Sequence, residues 1–306
     1  MTGMCWRINA IGSMLLIGLT SCETQEIVSE ETPRYYSQHH VLLEVDEIDA
    51  LEAVVFVDLR TPEQYASGHL PGAVNIHRSE FQRKDLPYGG MALESEEMAD
   101  LLGNKGVSEK DFLVLYDDKG GVEASRLWWI LKLYGHNQVR ILNGGLHVWK
   151  GDLDKNQRKP SITSFTFTAE ADQDLIIDYD TFEAWREISG VKVLDCRSEA
   201  EYEGEYMKEG AFLAGHVEGA VNICYSHTIS APEERMRIKS PDELRQVYQD
   251  FAQPEDTILV YCQSGVRSAH TLMILKEVLG YKHVYNYDGS WIEWSFMQRN
   301  NELRPS

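Results

Sequence analysis

Short apolar runs rich in β-branched and aromatic residues punctuate the chain, each ended by a polar or glycine-bearing break. Val54-Val55-Phe56-Val57, Phe112 to Tyr116, Val191 to Leu194 and Thr257 to Tyr261 have the length and make-up of buried strands. The second and fourth are each followed by a loop and then a helix, over Ala124–Leu133 and Ser268–Leu279. Gly135 and Gly280 come next, where a left-handed helix cap is expected. Strands alternating with helices predict an α/β fold, a mostly parallel sheet covered by helices. In such sheets functional residues gather beyond the carboxyl ends of the strands.

The pattern occurs twice. A shift of 145 lays residues 113–149 on 258–294 without a gap, pairing Tyr116 with Tyr261, Gly120 with Gly265, Leu127 with Leu272, Gly144 with Gly289 and Trp149 with Trp294. Upstream, Asp58-Leu59-Arg60 answers Asp195-Cys196-Arg197. Gly68-His69-Leu70-Pro71-Gly72-Ala73-Val74-Asn75-Ile76 answers Gly215-His216-Val217-Glu218-Gly219-Ala220-Val221-Asn222-Ile223. The second copy carries an insertion near Gly204–Leu213. A duplicated domain is the economical reading. It divides the chain into a signal segment over 1–21, a polar, acidic stalk over 22–37, a first domain over 38–155, a linker over 156–172 and a second domain over 173–303.

The N-terminus reads as an address rather than as fold. Arg7 precedes a mostly apolar run from Ile8 to Thr20, shorter than the ~20 residues that span a bilayer. The run closes on Leu19-Thr20-Ser21-Cys22, which resembles a bacterial lipobox. Lipidation of Cys22 would tether an exported chain to the cell envelope through that anchor alone. The 306 residues fit two domains, and 43% hydrophobic with 25% charged residues excludes wholesale disorder and a polytopic membrane protein. A net charge of −20 repels phosphate backbones, so nucleic acid is not an expected partner. An anionic substrate must then be captured by a local positive site. Five cysteines without CxxC spacing, and scattered histidines, indicate neither a disulfide scaffold nor a metal centre.

The chemistry concentrates in Cys262-Gln263-Ser264-Gly265-Val266-Arg267-Ser268, where a cysteine stands between a buried strand and a helix. Loop N–H groups that curl ahead of a helix attract an anion and favour a thiolate. Gly265 permits the curl, and Arg267 adds a fixed cation. The six N–H groups from Gln263 to Ser268 are expected to surround the sulfur. The Asp-x-Arg element, the Gly-His-x-x-Gly-Ala-x-Asn block, the Cys-x-x-Gly-x-Arg loop and Gly289-Ser290-Trp291-Ile292-Glu293-Trp294 together resemble the rhodanese family of sulfurtransferases, once per copy from about residue 38 to 300.

That resemblance implies two tandem domains, the second catalytic, and ping-pong transfer of a sulfane sulfur through a Cys262 persulfide. The implied partners are a small-molecule donor, thiosulfate or mercaptopyruvate, and a thiol or cyanide acceptor, handled by a monomer without a cofactor. Gln263 and Ser264 replace the Arg and Lys of many thiosulfate enzymes, Ser264-Gly265 leans toward mercaptopyruvate enzymes, and Arg267 resembles the single-domain thiosulfate type. Thiosulfate ranks slightly ahead. Two other readings compete: a phosphatase, whose cradle has one residue more between Cys and Arg, and a non-catalytic binding module.

In the first copy Asp117 stands at the cysteine position and Val122 at the arginine position. An aspartate in a cradle built for anions is expected to repel it, which leaves this loop dead and its domain a wall of the cleft. Arg197 is either an anion anchor beside Cys262 or one half of a structural ion pair. Asp195 is expected to orient loops, and His69 and His216, present in both copies, to bond loop carbonyls. Trp128, Trp129, Trp291 and Trp294 are expected to pack, and Cys196 and Cys224 to be buried free thiols.

Overall fold

The computed structural model describes residues 41–302 apart from 52, 157, 158, 168 and 169, so the signal segment, Cys22 and the stalk lie outside the described residues. Two five-stranded, all-parallel sheets repeat one topology. In the first half β1 (Leu42–Leu43), β2 (Val54–Asp58), β3 (Val74–Asn75), β4 (Phe112–Tyr116) and β5 (Val139–Leu142) lie in the order β1-β5-β4-β2-β3. In the second half β6 (Ile176–Ile177), β7 (Lys192–Asp195), β8 (Val221–Asn222), β9 (Thr257–Tyr261) and β10 (His283–Tyr287) lie in the order β6-β10-β9-β7-β8. The central strands are nearly continuous apolar runs because helices cover both faces.

The helices of the first half are α1 (Pro62–Ser67), α2 (Ser95–Asn104) and α3 (Val122–Leu133). Those of the second are α4 (Tyr179–Arg186), α5 (Glu199–Tyr202), α6 (Pro241–Tyr248), α7 (Val266–Met273) and α8 (Ser290–Glu302). Gly135 and Gly280 have φ of 84° and 75°, the left-handed caps that the sequence predicts. The second helix differs from expectation. After Met273 it widens into a π turn over Ile274–Val278, where Leu279 donates its N–H to Ile274 O, five residues back, at 2.9 Å.

The halves meet along α3 and α7 about a pseudo-twofold axis. Ser125 and His270, equivalent under the shift of 145, touch each other there, with Ser125 Oγ 3.2 Å from His270 Nδ1. Trp128 and Trp129 are buried, and Trp129 Nε1 donates to Leu175 O in the second half at 2.9 Å. Two further equivalent residues, Asn143 and Asp288, each accept an N–H from the opposite half. Ile238 donates to Asn143 Oδ1 and Ala92 to Asp288 Oδ2, both at 2.9 Å. Ile238 and Ala92 sit in hairpins closed by the Ile229–Ile238 and Gln82–Ala92 bridges. Each half therefore lays a hairpin over the loop that follows β5 or β10 of the other half.

Candidate active site

β9 lies between β7 and β10, so its carboxyl end opens where loops from both sides converge. Cys262 is the next residue and is 1% exposed. Gly265 ends the loop as the N-cap of α7 with φ of 77°, a conformation natural to glycine. A Cβ there would also strike Arg126 Nη1 and Asp288 Oδ1, both at 2.6 Å. The loop is tied down from the other side by α8. Trp291 and Ile292 donate their N–H groups to Cys262 O at 3.0 Å and Gln263 O at 3.1 Å, so donors that a helix start leaves unpaired are used on the loop. Ser290 Oγ accepts the N–H groups of Cys262 at 3.2 Å and Gly265 at 3.1 Å. Ser290 does this at φ of 52°, where its counterpart Gly145 has the same φ. A strained serine thus stands where the first copy has a glycine.

Burial disfavours a charged sulfur on Cys262. The Arg267 charge, the Ser268 hydroxyl and the N–H groups of Ser264 and Ser268 outweigh it, and the pKa is lowered from the usual thiol value. Ser268 Oγ lies 3.5 Å from Sγ. Arg267 is itself held by Glu201 of α5 in a two-pronged pair, Nη1–Oε2 at 2.6 Å and Nη2–Oε1 at 2.8 Å. Burial works against the Glu201 carboxylate, but Arg267 and Ser198 bring its pKa down to about 2. Lys208, in the insertion, is on the surface yet crowded. Burial and the Arg267 charge lower its pKa, while Glu201 and Cys262 pull it up. The insertion thereby brings a second cation into electrostatic range of the sulfur.

The sequence-predicted residues separate into two sets. Cys262, Gln263, Ser264 and Gly265 form the loop and Val266, Arg267 and Ser268 the first turn of α7, but the Gly265 N–H turns away from the sulfur to Ser290, so the full ring of six inward amides is not what forms. Arg197 does not join the site. It is 2% exposed, paired to Asp195 with Nε–Oδ1 at 3.0 Å and Nη2–Oδ2 at 2.6 Å, and it donates to Gly215 O at 2.8 Å. Its guanidinium lies 4.5 Å from the Trp291 ring centroid. Arg60 and Asp58 repeat the arrangement in the first half, so the Asp-x-Arg element is a structural fork and not an anion anchor. His69 and His216 each place Nδ1 2.8 Å from a carbonyl, of Tyr65 and Tyr202. Cys196 is buried and free, and burial pushes its pKa well up. Cys224 is free but half-exposed, against expectation, because it follows the short strand β8 at the sheet edge.

The first loop has the opposite content. Asp117 is 1% exposed, and its carboxylate fills its own cradle. Oδ1 accepts the N–H groups of Lys119 and Gly121, both at 2.9 Å, and Oδ2 those of Glu123 at 2.8 Å and Ala124 at 3.1 Å. Burial raises its pKa above the ordinary carboxylate value, and the Lys119, Ala124 and Gly121 donors pull the other way. The expectation of self-repulsion is therefore wrong: the aspartate is the anion that the loop binds.

Sequence reasoning missed Glu201, Ser290, Lys208, Arg126 and Asp288. Ser198-x-x-Glu201 is a capping box, a pattern that explains itself as a helix start and hides the pair with Arg267. Ser290 had a signal, a serine opposite Gly145 in the other copy.

Comparison with known proteins fits this geometry. The model of the rhodanese-like domain matches residues 43–152 and again 178–296. The chain belongs to the rhodanese-like family. This rhodanese-like chain is 34% identical over 248 residues to the thiosulfate sulfurtransferase of Corynebacterium glutamicum, covering 77% of this chain and 79% of that one. It is 35% identical over 248 residues to the sulfur carrier protein TtuD of Thermus thermophilus, covering 75% and 83%. Among solved structures, the anaerobic ergothioneine biosynthesis enzyme of Chlorobium limicola superposes with a TM-score of 0.73 at 21% identity, covering 84% of this chain and 68% of that one. That likeness concerns the fold.

Proposed function

We propose that the protein moves a sulfane sulfur from thiosulfate to a thiophilic acceptor through a persulfide on Cys262. The observation that carries this reading is a buried cysteine at a strand end, held toward its thiolate by Arg267 and loop donors. In the first half-reaction the Cys262 thiolate attacks the outer sulfur of thiosulfate. The S–S bond of the donor breaks, its electron pair leaves with sulfite, and Cys262 keeps the outer sulfur as a persulfide anion. In the second, the thiolate or cyanide acceptor attacks that outer sulfur and returns Cys262 as a thiolate. Atoms and charge balance in both steps. Ser264, Ser268 and Arg267 stabilise negative charge on sulfur in either state, and Lys208 helps to draw a dianion through the acidic surround.

Mercaptopyruvate, with one carboxylate, is the second donor, favoured by Ser264-Gly265. Lipidation at Cys22 would hold a monomer at the surface of the cell envelope. The test is mass spectrometry of the protein after thiosulfate: the peptide containing Cys262 gains one sulfur atom. Cys262→Ser loses that gain and lowers turnover with either donor at least about 10³-fold. Sulfur uptake elsewhere, or turnover surviving in Cys262→Ser, would overturn the reading, and turnover with mercaptopyruvate alone would reassign the donor.

A further inference from the structure

The half without the cysteine reaches the catalytic loop with a side chain. Arg126, on α3, is buried, and both of its Nη nitrogens bond across or beside the boundary between halves. Nη1 donates to Asp288 Oδ1 at 2.5 Å and to Gly265 O at 3.3 Å, and Nη2 donates to Gly90 O at 3.0 Å. The guanidinium lies 4.8 Å from the Trp129 ring centroid, which fixes its plane. Asp288, 3% exposed, spends its other oxygen on the Ala92 N–H at 2.9 Å.

Gly265 is the pivot of this arrangement. Its positive φ makes it the residue at which the loop would turn most easily, yet both adjoining peptide planes are held. Its N–H goes to Ser290 Oγ, and its carbonyl takes both the Ala269 N–H at 3.2 Å and Arg126 Nη1. The ion pair occupies the space that a Cβ at Gly265 would need. The Gly90 turn presses on Ser264 from the same side, where a Cβ on Gly90 would come within 2.5 Å of the Ser264 Cβ. A buried ion pair contributes little net stability compared with apolar residues of the same volume, so stability alone does not account for it. Its contacts converge on the loop.

We propose that Arg126, from the half without the cysteine, is a positioning residue for the Cys262 loop, locking the Gly265 pivot so that the Ser264 and Ser268 donors stay on the sulfur. Arg126 touches no reacting atom. It acts by holding peptide planes, as the fork of a guanidinium can and a lysine ammonium cannot. The inference builds on Cys262 as the reacting thiolate, the core of the proposed function.

The full chain, Arg126→Lys and Asp288→Asn would be alkylated with iodoacetamide across pH, following the Cys262 peptide by mass spectrometry. Steady-state kcat and KM with thiosulfate and urea unfolding would be measured on the same samples. Arg126→Lys keeps the charge beside Asp288 and loses the fork. The expected result is an alkylation midpoint moved to higher pH by about half a unit or more, with kcat reduced about tenfold and KM within about twofold. Asp288→Asn releases the anchor while keeping every guanidinium donor. It moves the same readouts in the same direction, and it decides the matter if Arg126→Lys does not fold. An alkylation midpoint and kcat equal to wild type in either folded variant would overturn the proposal and leave Arg126 a strut. Alkylation that depends on Arg126 in a protein taking no sulfur from thiosulfate would keep the positioning role and remove the proposed activity.

Discussion

The Asp117 and Cys262 loops follow equivalent strands, lead into equivalent helices and turn at equivalent glycines, Gly120 and Gly265, each with φ of 77°. One is closed around its own carboxylate, with four backbone donors on two oxygens. The other leaves a single sulfur atom with fewer backbone donors, a hydroxyl and the Arg267 charge. A carboxylate has two oxygens to divide among the donors and saturates them, so no anion from solution is needed. A thiolate has one atom, and a second sulfur can be added to it while the donors follow the charge. The difference between the two loops is thus who supplies the anion. Arginine is the other part of the difference. Val122 stands in place of Arg267, and Gln64, in place of Glu201, bonds Asp118 instead of an arginine, Nε2–Oδ2 at 2.5 Å.

The sharpest break in the comparison is to give the second loop the occupant of the first. Cys262→Asp should lower turnover at least about 10³-fold while the melting temperature holds or rises, because the new carboxylate finds the Arg267 charge and loop donors in place. A large drop in melting temperature would show that the second cradle does not accept an internal anion. Emptying the first loop is the converse. Asp117→Ala leaves four N–H groups, those of Gly121 and Ala124 buried, without their acceptor and should cost roughly 3 kcal/mol or more in urea unfolding. Added sulfate should return part of the loss if the cradle still binds anions. Equal losses with and without sulfate would mean that the emptied loop collapses.

A smaller effect lies on the axis between the loops. His270 is wedged between Ser125 Oγ at 3.2 Å and Thr228 Oγ1 at 3.0 Å, and burial pushes its pKa down from 6.5 to about 4. The unfolded chain takes up that proton first. Stability present above pH 6.5 is therefore lost as pH falls from there toward about 4, by up to about 1.4 kcal/mol per unit. Urea unfolding at neutral pH and at about pH 5 should show the slope in wild type and a shallower one in His270→Gln. An unchanged slope would assign the acid sensitivity to other groups.

Much of this was legible from local pattern. Strands Phe112–Tyr116 and Thr257–Tyr261 begin and end where the apolar runs do, because a central parallel strand must be apolar on both faces. The duplication, the glycine caps and the Cys262 loop are contiguous signals of the same kind. The site's supporting groups are not contiguous. Glu201 is 66 residues from Arg267, Gly265 is 139 from Arg126 and Asp288 is 162 from it. Nothing in a helix-start serine box or a lone arginine on an apolar helix announces a partner so far away. Arg197 misled for the opposite reason. Its position beyond a strand looks like that of a ligand-binding residue, and only the Asp195 fork and the Gly215 carbonyl show that its charge is already taken. Asp117 shows a third limit, since sign of charge alone suggests repulsion where the geometry of the donors makes a home.

The exchange of hairpins across the axis makes the two halves interdependent in a way that heredity would notice. A gene cut between them would encode a C-terminal piece with its socket unroofed and its glycine hinge unlatched.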